Sequence, residues 1–183
     1  DGVFFLKDWS ENADVAAAFM ASGLIELALD VESRVAGGSG TAFGVPSVIV
    51  EADRVPVGQA EAKRLAGLVE AAWAAFDRTA ATSPASLRKG PRGGGRDRDK
   101  MVRHVNEADS AYARETGAPV RLTDASDRSA VKAMREGMLE VLRRPSDGAP
   151  LDGGRWTQRF ATRRVAWHAL DHAWEMEDRS TPE

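Results

Sequence analysis

His104, His168 and His172 are the three histidines of this 183-residue chain, and the last two stand four apart in Trp167-His168-Ala169-Leu170-Asp171-His172. On a helix that spacing puts both imidazoles on one face, one turn apart. Such a pair can share a divalent ion, and a third imidazole from another helix leaves positions open for water or a substrate. The chain has no cysteine, which removes thiolate ligands, a cysteine nucleophile and disulfides together, so any thiol chemistry needs an external thiol. Glu175 lies one turn beyond His172. It reads as the candidate catalytic base, as a fourth ligand, or as a carboxylate that orients an imidazole. Asp171, Glu177 and Asp178 read instead as a solvated acidic helix end paired with Arg163, Arg164 and Arg179.

The helices that must carry these rings are legible as apolar periodicity. At about 100° per residue, His168 and His172 project near Ala161 and Val165, while His104 groups with Met101, Ala108, Ala111 and Tyr112. All three histidines therefore point inward. One histidine on such a face is ordinarily a hydrogen-bonded core residue; three on two faces, two of them at ligand spacing, favour a metal site. The spacing predicts helices over about 58–80, 97–115, 127–144 and 156–178, with breaks at Pro84, Thr116-Gly117 and Pro145. Phe160, Trp167 and Trp174 recur along the last of these and read as a packed stripe rather than a pocket wall.

Residues 1–57 have a different texture: a short strand at Val3–Leu6, a helix from Ser10 to about Ser22, an alternating segment over Leu27–Val35, then glycine-rich breaks. The expected fold is mainly α, an up-down four-helix bundle at 58–183 with a small α+β extension at 1–57. Between the first two helices, Arg88, Lys89, Arg92, Arg96, Arg98 and Lys100 surround three consecutive glycines. A solvated loop is the better reading. If this loop overhangs the metal site, Arg92 and Arg96 become candidates to grip the anionic end of a substrate, with Tyr112 lining the site from the second helix.

Composition narrows the partners. Hydrophobic residues at 43%, charged residues at 29% and a net charge of −3 carry no bias toward nucleic acid or lipid. No run approaches the roughly 20 apolar residues that span a bilayer, and the opening residues lack the pattern of a signal peptide. The expectation is a cytoplasmic protein acting on a small molecule.

One histidine on the second helix followed by His-x-x-x-His on the fourth resembles the DinB/YfiT-like superfamily of metal-binding bundles, over about residues 58–178. Arg163 to Arg179 carries the resemblance most closely, together with Asp99 to His104, Ala108 and Tyr112. The chain departs from that pattern before the second helix, where it has Gly93-Gly94-Gly95-Arg96-Asp97. The resemblance implies a divalent metal such as zinc or nickel, often a homodimer, and in some members transfer or isomerisation using a low-molecular-weight thiol. The leading expectation is therefore a metal-dependent thiol S-transferase or isomerase with His104, His168 and His172 as ligands. Two alternatives stand beside it: a metal-dependent hydrolase with Glu175 as base, and a non-catalytic bundle that binds a partner, nucleic acid included, through Arg88 to Arg103.

Overall fold

A computed structural model of the chain describes residues 36, 37, 40, 45, 47–90, 95–152 and 154–180. The strand, helix and alternating segment expected within residues 3–35 lie outside the described residues, as does Arg92. Two compact units divide the chain, Asp1–Val48 and Ile49–Glu183. In the second, a short 3-10 helix at Glu51–Arg54 precedes four α-helices: α1 at Gln59–Thr82, α2 at Arg98–Glu115, α3 at Arg128–Leu142 and α4 at Gln158–Ser180. The only β-type pairings among the described residues are two isolated bridges, Val57 with Ser146 and Pro150 with Thr157.

Local chemistry sets the helix ends. Asp127 caps α3, its carboxylate accepting from the Ser129 and Ala130 amides and so satisfying donors that the first turn leaves free. Gly117 ends α2 with φ at 70°, a left-handed turn in which the Ala118 amide reaches back to the Ala113 carbonyl at 2.9 Å. A Cβ there would collide with the Asp152 carbonyl. At the opposite junction, the Gln158 side chain donates to the Leu142 and Arg144 carbonyls at 2.6 and 2.9 Å, tying the start of α4 to the open end of α3.

Contacts between helix ends fix their directions. Glu61 at the start of α1 pairs with Arg159 at the start of α4, and Thr79 near the end of α1 donates to Glu177 near the end of α4. These two helices run the same way. The end of α3 returns to the start of α1, where Gln59 donates to the Arg143 carbonyl. The start of α2 lies by the end of α1, where Arg98 reaches the Ser83 carbonyl, so α2 and α3 both run against α1 and α4. The strict up-down alternation read from the sequence is thereby corrected to up, down, down, up. The segment from Thr116 to Asp127 has the reach this needs: about 12 extended residues span roughly 40 Å, against about 27 Å for an 18-residue helix.

The α1–α4 contact is the most extensive in the bundle, and small residues allow it. Ala62, Ala66 and Ala72 on α1 and Ala161, Ala169 and Ala173 on α4 are all buried. Met101, Val105, Met134, Met138, Leu142 and Met176 fill much of the remaining core, the four methionines with flexible side chains that close irregular gaps. α4 buries Phe160 and Trp167 of the packed stripe read from its sequence and half-buries Trp174. Its core face is Ala161, Val165, Ala169, Ala173 and Met176, while Trp167, though buried, stacks on Arg164 and borders His168.

Candidate metal centre

His104 projects from the second turn of α2 and meets His168 and His172 from α4. One ligand atom from each of the three lies within 4.8 Å of the other two. Ring centroids are 5.3 Å apart for His104 and His168, 4.9 Å for His104 and His172, and 4.6 Å for His168 and His172. None of these pairs is stacked flat; the rings meet tilted or edge-on. His168 and His172 are buried and His104 is half-buried.

The donor set suits a divalent ion. His172 Nδ1 lies 2.9 Å from Glu175 Oε2, so the carboxylate orients the ring and leaves Nε2 for a ligand role. His168 Nδ1 is buried with no hydrogen-bond partner, a cost that an uncompensated polar atom ordinarily incurs. Burial, the neighbouring His172 and the Arg164 charge hold His168 far below the usual imidazole value, at about 2. Burial, with Arg96 and His172, also lowers His104. Both rings are therefore neutral, the state that binds metal.

Glu175 is fully engaged. Its Oε2 faces His172 and its Oε1 pairs with Arg179 at 2.8 Å, and the hydrogen bond to His172 lowers its pKa despite burial. Tyr112 stands at the site, its ring centroid 5.5 Å from that of His168 and 5.1 Å from that of Trp156. Arg96 is exposed, yet its charge reaches His104, His168 and Glu175.

Three residues of the basic connection are used locally. Arg88 holds the α4 terminus through the Asp178 and Arg179 carbonyls, Lys89 pairs with Asp97 at 2.6 Å, and Arg98 pairs with Asp99.

Two features escaped the sequence reading. Arg163 pairs with buried Asp53 at 2.6 Å and Arg179 with Glu175, but Arg164 turns to the aromatic rings of Tyr112 and Trp167. Its position four residues before His168 was the available signal. The second is a polar cluster between α1, α2 and α3, where Arg135 binds Asp109 and Asp77 and lies 4.9 Å over the Trp73 ring. An aspartate and an arginine inside otherwise apolar helical faces were its trace.

Compared with protein-family models, curated proteins and solved structures, the chain matches none. Its own geometry defines it as a helical bundle with a three-histidine group that could hold a metal ion. No helix among the described residues is long and apolar enough to cross a membrane.

Proposed function

We propose that the protein is a divalent-metal-dependent enzyme of the DinB/YfiT-like kind, acting on a small molecule with a low-molecular-weight thiol as co-substrate in a transfer or isomerisation reaction. The convergence of His104, His168 and His172 from two helices carries this reading. Three imidazole ligands suit zinc or nickel and leave open coordination positions. When bound, the ion supplies Lewis acidity that favours a thiolate at neutral pH.

The chain's own residues divide the remaining work. His104, His168 and His172 act as ligands, and Glu175 positions His172. Because both Glu175 oxygens are already engaged, its role as an orienting group has more support than general-base hydrolysis. Tyr112, backed by Trp156, and Trp167 border His168, and Arg96 lends positive charge from the connecting loop. Arg88, Lys89 and Arg98 pair locally, so the three-histidine group carries the functional reading ahead of the basic connection.

Zinc- or nickel-loaded protein should bind or consume a low-molecular-weight thiol, and His168→Ala should lose that capacity. Metal-loaded protein that does neither, across a panel of such thiols and electrophiles, contradicts the thiol reading.

A further inference from the structure

Arg164 is the one cation of the Arg163, Arg164 and Arg179 set for which the described residues provide no ion pair within 4 Å. Its guanidinium carbon lies 5.4 Å from the Tyr112 ring centroid and 4.9 Å from that of Trp167. Both rings also meet His168, at 5.5 and 6.2 Å. The guanidinium thus lies against two aromatic rings that border the metal centre, and its Nη1 is buried with no hydrogen-bond partner among the described residues. A buried, unpaired guanidinium nitrogen is costly unless something fills the place.

The surrounding charges favour an anion there. Imidazole ligands bring no negative charge to offset that of a divalent ion. Glu175 is already matched by Arg179 at 2.8 Å, and Arg96 adds a further cation whose influence reaches His104 and His168. Asp171 offsets part of the Arg164 charge. Planar guanidinium groups bind carboxylates through paired hydrogen bonds, and a stacked guanidinium is already oriented for it.

We propose that Arg164, lying against Tyr112 and Trp167 beside His168, receives the carboxylate of a small ligand whose other end reaches the ion held by the three histidines. The ligand class is a compact carboxylate bearing a metal-seeking donor such as a thiol. Arg164 is then a specificity-determining residue of the same centre, and the proposal rests on the metal reading above.

Cobalt(II) occupies imidazole sites and reports a thiolate ligand by a charge-transfer band. Cobalt-loaded full-length protein is titrated with mercaptoacetate, 3-mercaptopropionate and the uncharged 2-mercaptoethanol. At least one of the acids should bind about tenfold tighter than mercaptoethanol. In Arg164→Gln that advantage should vanish with cobalt content and mercaptoethanol affinity unchanged, and Arg164→Lys should keep part of it. Should Arg164→Gln fail to fold, the wild-type comparison and Arg164→Lys decide. Equal affinities in the wild type, or an advantage that survives in Arg164→Gln, overturn the carboxylate site while leaving the metal centre standing. Failure of the wild type to take up cobalt overturns the metal reading and this proposal with it.

Discussion

His172 and Glu175 show how much of this site rests on single hydrogen bonds. The 2.9 Å contact between Nδ1 and Oε2 fixes which His172 nitrogen faces inward, and Arg179 fixes the carboxylate in turn. Glu175→Gln should therefore keep the fold yet lower metal affinity about 10- to 100-fold, read by competition with a chelator; unchanged affinity would remove Glu175 from the centre. The histidines were legible in the sequence because a four-residue spacing has one geometric meaning on a helix. Arg164 was not. Among neighbouring arginines and carboxylates, sequence cannot tell which cation finds its acid: Arg163 reaches Asp53, far away in the chain, and Arg179 takes Glu175, leaving Arg164 to the rings.

The helices themselves were readable to within a few residues, since caps and breaks act locally: Asp127 starts α3 and Gly117 stops α2 as their chemistry dictates. Interhelical partners were less legible, and the polar cluster of α2 and α3 is the clearest case. Asp109 is fully buried, and burial pushes its carboxyl up to about 6 from 3.8 against the pull of Arg135 and the Trp73 indole. A raised carboxyl holds its proton longer in the folded state than in the unfolded one. Its contribution to stability is thus complete below about pH 3.8 and declines as pH rises through about 6. Asp109→Asn should remove this component, so that its stability relative to the wild type improves from pH 4 to pH 7 by about 1–3 kcal/mol in urea unfolding. A constant difference across that range contradicts the assignment.

For the molecule as a whole, the decisive arrangement is two parallel pairs of helices, α1 with α4 and α2 with α3. The order of helices was plain from periodicity, whereas their directions depended on whether the segment from Thr116 to Asp127 turns back or crosses over, and apolar spacing does not encode that. The resulting bundle brings the early part of α2 against the later half of α4, where the histidines meet. Because Ile49–Glu183 forms one compact unit that holds all three, a chain of residues 49–183 should unfold cooperatively and bind metal as the full chain does. Loss of helical circular dichroism in that shorter chain would contradict the division. The most direct test of the central claim is elemental analysis of the purified full-length protein beside His104→Ala, His168→Ala and His172→Ala. The wild type should hold about one equivalent of zinc or nickel, lost in each variant while helical content persists. No metal in the wild type after reconstitution, or full retention in the variants, would contradict that claim and return the triad to the role of core packing.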